Sequence, residues 1–139
     1  MTKESTKDCW AGCPVRYVSG LLGDKWTMLI LRDIIFLGKK NYSEFAKSEG
    51  IATNILADRL GTLIESDILT RKTDPDNKTK KIYSPTQKGL DLIPILLEIM
   101  KWGGKYDEAT TVDQDFLSSV MKDRNHVEAK IRALHQGNT

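Results

Sequence analysis

One short segment breaks an otherwise helical pattern and limits the folds that this chain can adopt. Residues 68–73 and 78–84 are rich in Ile, Thr and Tyr, as β-strands are. Between them lies Asp74-Pro75-Asp76-Asn77, a sequence that favours a tight turn. These features predict a β-hairpin from about Ile68 to Tyr83 within a mainly α-helical chain.

Two helices are predicted directly before this hairpin. Ser43 is a candidate N-cap for a helix of about two turns that ends before Gly50, and Thr53 is a candidate cap for a longer one. The longer helix has one apolar face, formed by Leu56, Leu60, Leu63 and Ile64. Two helices joined by a tight turn containing glycine form a helix-turn-helix. With the hairpin as a wing, the predicted fold is a winged helix-turn-helix, mainly α with a small β-hairpin.

Apolar periodicity predicts four more helical segments. The first begins at Pro14 and ends at Gly23, and the second has Trp26 in its apolar stripe and ends at Gly38. The third is capped by Thr86, can be kinked by Pro94 and ends at Gly103-Gly104. The fourth is an amphipathic segment from Phe116 to Leu134. The predicted organisation is an N-terminal arm (1–12), a winged helix-turn-helix domain (13–106) and a C-terminal helical extension (107–139).

Composition excludes several classes of protein. A chain of 139 residues with 40% hydrophobic residues suits one globular domain. Its longest apolar region falls short of the roughly 20 residues that span a bilayer, so a soluble, cytoplasmic protein with no membrane partner is expected. The sequence shows no Gly-rich phosphate loop and no nucleophile elbow, so neither an enzyme nor a cofactor is expected.

Charge is sorted along the chain, although the net charge of +2 is too small to indicate a nucleic-acid partner. Five basic and two acidic residues lie between Thr70 and Tyr83. Four acidic residues and no basic one lie between Asp107 and Met121. A basic hairpin is a candidate for phosphate contacts, and a simply solvated hairpin is the alternative.

Several local strings, in order, resemble the HxlR-type regulators, which are winged-helix relatives of MarR. The strings are Cys13-Pro14-Val15, Gly23-Asp24-Lys25-Trp26, Tyr42-Ser43-Glu44-Phe45, Leu56 to Leu63, Leu69-Thr70-Arg71 and Tyr83 to Gly89. The resemblance covers roughly Cys13 to Trp102. It implies a homodimer on a partly palindromic double-stranded DNA operator, with an interface from the N-terminal helix and the helices after the wing. The longer, lysine-rich wing and the segment after Trp102 depart from the family pattern.

The same resemblance assigns candidate DNA contacts. It implies that base-reading residues lie at Thr53, Asn54, Ala57, Asp58 and Arg59. Asn and Arg side chains can form paired hydrogen bonds with adenine and guanine, whereas an ordinary exposed helix face is the alternative. The candidate phosphate contacts are Lys25, Arg71, Lys78, Lys80 and Lys81.

Cys13 is a candidate redox or electrophile sensor, as in a subset of the family, because a helix that starts at Pro14 favours the thiolate. Cys9 is either its resolving thiol or a bystander, and a small buried thiol is the alternative for Cys13. No metal site is expected, since His126 and His135 lie far from both cysteines in sequence.

The predicted function is a DNA-binding transcriptional regulator, a repressor, that responds to an oxidant or a small-molecule inducer. Two alternatives stay open. One is a ligand-responsive regulator in which the cysteines are structural, and the other is a winged-helix module that binds protein instead of DNA.

Overall fold

The computed structural model describes residues 11–136. Within this range the chain forms eight helices and a two-stranded antiparallel sheet. In chain order the elements are α1 (Pro14–Leu22), α2 (Lys25–Ile35), α3 (Tyr42–Glu49), α4 (Thr53–Glu65), β1 (Leu69–Asp74), β2 (Asn77–Pro85), α5 (Gln87–Leu90), α6 (Ile93–Tyr106), α7 (Gln114–Lys122) and α8 (Arg124–Leu134). The predicted fold class, helices with one β-hairpin, is confirmed. No helix in the described range is long and apolar enough to span a bilayer.

The helix starts of the helix-turn-helix differ from the prediction. Asn41, not Ser43, caps α3, because its backbone is extended and its Oδ1 accepts from the Glu44 backbone N–H at 3.0 Å. The Glu44 side chain accepts in turn from the Asn41 N–H, which completes a capping box. Ala52 occupies the cap of α4, since Thr53 already has helical backbone. The Tyr42 hydroxyl instead donates to the Thr53 carbonyl at 2.6 Å and joins the two helices.

The hairpin forms where the sequence predicts it, although β1 is shifted by one residue and β2 is longer than expected. Leu69 pairs with Pro85 and Thr73 with Lys81, and the turn is reduced to Pro75 and Asp76. The register is irregular after Thr73, so three residues of β2, 78–80, have no Cα partner on β1.

The helices after the hairpin are divided more finely than periodicity predicts. Thr86 caps a helix as expected, but α5 ends at Leu90, and Pro94 lies in the first turn of α6 instead of kinking a continuous helix. The Gly103-Gly104 pair does not end α6, which continues to Tyr106. A side chain at Gly104 would meet Leu117 at 2.7 Å, so this glycine lets α7 pack closely.

Two further helix ends differ from the prediction. The last segment is broken at Asp123, whose side chain caps α8. Helix α2 ends at Ile35 and not at Gly38, which has φ +69°. Helix ends of this kind depend on contacts that periodicity does not contain.

One hydrophobic core joins most elements. It takes its fully buried side chains chiefly from α2, α4, the hairpin and α6, and Phe45 meets Tyr83 edge-on at 5.9 Å. Val120, Val127 and Ile131 of α7 and α8 join the same core, and Trp26 packs against it while partly buried. Helix α4 therefore packs against the core through its apolar face, and its other face is exposed to solvent.

One carboxylate breaks the apolar stripe of α2. Asp33 is almost fully buried, and both Nε and Nη2 of Arg32 donate to its Oδ1, at 3.0 and 2.8 Å. Arg32 also pairs with Glu49 at 3.1 Å, and Lys39 lies 3.9 Å from Asp33. These charges connect the C-terminal end of α2 to α3.

Candidate nucleic-acid interface

Helix α4 is anchored on one side and open on the other. Leu56, Leu60 and Leu63 have exposed fractions of 0, 2 and 0%. The exposed side of its first two turns carries Thr53, Asn54, Ala57 and Asp58. Four of the five predicted base-contacting residues therefore share one solvent-facing surface of short side chains.

Arg59, the fifth candidate, points towards the rest of the protein. Its Nε donates to Asp24 Oδ2 at 2.8 Å, and its Nη1 pairs with the neighbouring Asp58. The hydrogen bond to Asp24 is the main cause of a raised Arg59 pKa. Arg59 is therefore engaged by two carboxylates, and its reach towards solvent is limited.

Asp24 joins two structural roles in one side chain. As the N-cap of α2 it accepts from the Thr27 N–H at 2.9 Å and from the Thr27 hydroxyl at 3.1 Å. The hydrogen bond from Arg59 lowers the pKa of Asp24, helped by Thr27 and opposed by partial desolvation. The start of α2 is thereby tied to the middle of α4. The sequence prediction missed this residue, although its position before a helix marks it as a cap.

The hairpin distributes its cations over two faces. Arg71 pairs with Tyr83, and Thr73 pairs with Lys81, so Arg71 and Lys81 share a face; Lys81 Nζ also donates to Thr73 Oγ1 at 2.8 Å. Lys78 and Lys80 lie in the unpaired part of β2, where the Asn77 side chain accepts from Thr79. All four predicted phosphate contacts on the hairpin are exposed, and they lie in its paired and unpaired parts.

Two further lysines near these elements are exposed. Lys25 is exposed at the first position of α2, with Nζ 4.7 Å from the Trp26 ring centre. Lys72, which the sequence prediction left out, is exposed on the hairpin and lies on the opposite face from Arg71. Its position between Arg71 and Thr73, within the basic run of the sequence, could have identified it as a candidate.

Cys13 lies where the sequence predicts it, at the N-cap of α1, and is a partly buried free thiol. Its own side chain makes no capping hydrogen bond. Cys9 lies outside the described residues. Among the residues that are described, no group of His, Cys, Asp and Glu side chains has the arrangement of a metal site.

Helices α1 and α6 expose a set of large apolar side chains. The members on α1 and α6 are Val15, Tyr17, Ile95, Ile99, Trp102 and Tyr106. Pro14, Val15 and Val18 line one shallow groove together with Ile95 and Ile99. Apolar surfaces of this kind usually mark an interaction site.

Comparison with known proteins matches this architecture to one family. Residues 21–111 match the model of the family described as HxlR-like helix-turn-helix. An uncharacterised HTH-type transcriptional regulator of Mycobacterium tuberculosis is 33% identical over 62% of this chain and 54% of its own length. The chain thus spans about half the length of that relative. The HTH-type transcriptional regulator YodB of Bacillus subtilis is 31% identical over 69% of this chain and 87% of YodB.

Solved structures agree with the sequence relatives. The crystal structure of PA1607 has a TM-score of 0.66 at 39% identity and covers 74% of this chain and 71% of PA1607. The redox regulator HypR in its oxidised form has a TM-score of 0.61 at 28% identity and covers 70% of this chain and all of HypR. The resemblance seen in the sequence is confirmed by these matches.

Proposed function

Because the chain belongs to the HxlR-like helix-turn-helix family, we propose that it is a transcriptional regulator that binds double-stranded DNA. Helix α4 would enter the major groove, and the hairpin would lie along the neighbouring phosphates. The observation that carries this proposal is the two-sided character of α4, with buried leucines on one side and short polar or small side chains on the other. Short side chains let a helix sit deeply in a groove about 12 Å wide.

Within this interface the residues have different roles. Asn54 can form two hydrogen bonds with adenine, and Thr53 and Ala57 offer methyl contacts to thymine. Asp58 and Arg59 neutralise each other at the edge of this surface. We keep both in the proposed contact set, with Arg59 reaching a guanine only when DNA replaces Asp24 as its partner.

The exposed cations would supply affinity without sequence preference. Lys25 beside α4 and Arg71, Lys78, Lys80 and Lys81 along the hairpin would contact phosphates. Each phosphate that a cation neutralises steepens the logarithmic dependence of affinity on salt by about 0.9.

A homodimer formed through α1 and α6 completes the arrangement. Two copies of the exposed apolar surface would bury it and set two α4 helices about 34–36 Å apart, one turn of DNA. The partly palindromic operator follows from the twofold symmetry of such a dimer. Occupation of a promoter in the cytoplasm would block polymerase, so we propose repression as the outcome.

We further propose that Cys13 senses oxidants or electrophiles. The redox regulator HypR supports this, as does the position of Cys13 at the start of a helix that carries the apolar surface. Diamide would take two electrons and two protons from the Cys13 thiol and a second thiol, either Cys9 or a thiol of a second copy. A disulfide would form while diamide is reduced to its hydrazine. Diamide should change DNA affinity in the parent and not in Cys13→Ser; an equal response in Cys13→Ser would assign the sensing to another group.

The DNA proposal is tested by fluorescence anisotropy with the fragment upstream of the protein's own gene and a scrambled fragment of equal length. Asn54→Ala should weaken binding to the upstream fragment about 5- to 100-fold and leave the scrambled one almost unchanged. Lys80→Gln should weaken both and lower the salt slope by about 0.9, whereas Lys101→Gln, on α6, should change neither. Absence of salt-sensitive binding would overturn the proposal and favour a protein-binding winged-helix module.

A further inference from the structure

A groove with a volume of about 650 Å³ is lined by no residue of α4. Its walls come from the hairpin, from the C-terminal end of α2 with the residues that follow it, and from the end of α8. The volume falls within the range of about 300–1,000 Å³ that is usual for small-molecule sites. None of the residues proposed above to contact DNA lines the groove, and none of the exposed apolar residues of α1 and α6 does.

The walls of the groove are held in place by hydrogen bonds between distant segments. The Tyr83 N–H donates to the Lys40 carbonyl at 2.8 Å and joins the hairpin to the segment after α2. A ring nitrogen of His135 lies 2.9 Å from the Ile35 carbonyl oxygen and holds the end of α8 against α2. The cavity is therefore formed by the fold itself and does not depend on one mobile side chain.

The lining combines apolar surface with positive charge. Its apolar part includes Ile34, Phe36, Leu37, Ile82 and Leu134. Its charged part consists of Lys39, Lys40 and Lys72, and no Asp or Glu lines it.

The three lysines of the groove differ in their partners. Lys39 is engaged, since its Nζ donates to Ser48 at 3.1 Å and lies 3.9 Å from Asp33. Lys40 and Lys72 form no ion pair with any carboxylate between residues 11 and 136. Two cations beside an apolar floor fit a molecule that is negative at one end and apolar at the other.

We propose that this groove binds a small amphipathic organic anion, such as an aromatic carboxylate. The carboxylate would lie between the ammonium groups of Lys40 and Lys72, and the apolar body would cover Ile82 and Leu134. A DNA backbone fits less well, because it carries no apolar body for the floor to cover. Occupancy would also alter the charge and position of the hairpin; that regulatory consequence rests on the proposed DNA binding, whereas the binding itself does not.

The probe for this site is 1-naphthoate, titrated calorimetrically into the full-length protein without DNA, beside the neutral 1-naphthalenemethanol. The parent should bind naphthoate saturably and at least fivefold more tightly than the alcohol. The Lys40→Gln/Lys72→Gln variant should bind naphthoate at least fivefold more weakly than the parent. A matched control, Lys101→Gln/Lys122→Gln, removes the same charge from exposed sites on α6 and α7 and should bind like the parent.

Three results would overturn the proposal: no saturable binding, equal affinity for the alcohol, or equal affinity of the two double variants. Thermal unfolding of both variants shows whether the fold is kept. As a second variant, Leu134→Lys adds a cation to an exposed groove wall and should weaken binding of the neutral alcohol more than that of naphthoate. Because no DNA is present, failure of the DNA proposal would leave these results unchanged.

Discussion

Asp24 has two structural roles, and two different substitutions at this position separate them. Its carboxylate caps α2 through Thr27 and also engages Arg59 of α4. Asp24→Ala removes both interactions. Asp24→Asn keeps an oxygen that can accept from the Thr27 N–H, because Asn is as good an N-cap as Asp, but it removes the negative charge.

The sizes of the two effects follow from the geometry. Loss of a cap destabilises a protein by about 1 kcal/mol, and a partly exposed ion pair contributes roughly 0.2–1 kcal/mol. Asp24→Ala should therefore lower the free energy of unfolding by about 1–2 kcal/mol, or the melting temperature by roughly 3–8 °C. Asp24→Asn should lower the free energy of unfolding by about 0.5 kcal/mol or less, since only the partly exposed ion pair is weakened.

The same pair of variants addresses the role of Arg59 in DNA binding. With Asp24→Asn the guanidinium keeps only Asp58 as a charged partner, and one negative charge near the proposed interface disappears. Affinity for DNA, measured by anisotropy at low salt, should rise about two- to fivefold, which corresponds to about 0.4–1 kcal/mol. Asp115→Asn, an equal charge change on α7, should leave affinity unchanged.

Two outcomes would refute this reasoning. If Asp24→Asn melts as early as Asp24→Ala, the cap is not the dominant contribution. If Asp24→Asn keeps its melting temperature but loses DNA affinity, the ion pair with Arg59 orients α4 for binding and does not compete with DNA for Arg59.

Three further predictions concern charge and assembly. Asp33→Asn should lower the free energy of unfolding by about 2–3 kcal/mol in denaturant titrations, because it breaks a buried pair whose partner Arg32 is only one-third exposed; exposed Asp76→Asn should change it by less than about 0.5 kcal/mol. Ile99→Glu should convert the proposed dimer to a monomer in sedimentation experiments, and this monomer should stay folded because Ile99 lies outside the core. An unchanged mass would refute the proposed interface. Because the pKa of Asp24 is lowered in the folded protein, its carboxylate stabilises the fold above pH 3.8 and loses this contribution as the pH falls from 3.8 towards the lowered pKa. The stability difference between parent and Asp24→Asn should therefore be smaller at pH 3 than at pH 7, and an equal difference at both values would contradict this.

Features that depend on neighbouring residues could be predicted from the sequence. The hairpin follows from its turn residues, and the cap at Thr86 follows from a hydroxyl before a helix, since its Oγ accepts from Gly89 three residues later. The anchored face of α4 follows from apolar spacing alone. The caps of α3 and α4 were each misplaced. Two polar residues, Asn41 and Ser43, stand near the start of α3, whereas the cap of α4 is Ala52, whose side chain gives no capping signal.

Features that join distant residues could not be predicted. Arg59 is a plausible base reader on its own helix, but Asp24, 35 residues away, engages it. Asp33 interrupts an apolar stripe, and only its contacts with Arg32 and Lys39 show why a buried carboxylate is tolerated there. Gly103-Gly104 looks like a helix end by composition, although close packing against Leu117 explains Gly104.

Helix α6 shows what apolar periodicity leaves undecided. Its apolar positions include Ile93, Leu96, Leu97 and Trp102. The structure buries the first three but leaves Trp102 70% exposed. Ile95 and Ile99 also lie outside the core, so the helix is apolar on both sides. A helix with apolar side chains on two sides leaves one of them in water unless a second surface covers it. One copy of the chain covers one side of α6 within residues 11–136. The other side continues onto Val15 of α1, so a second copy of the same surface is the simplest cover. The proposed dimer would then include the helix whose N-cap is Cys13.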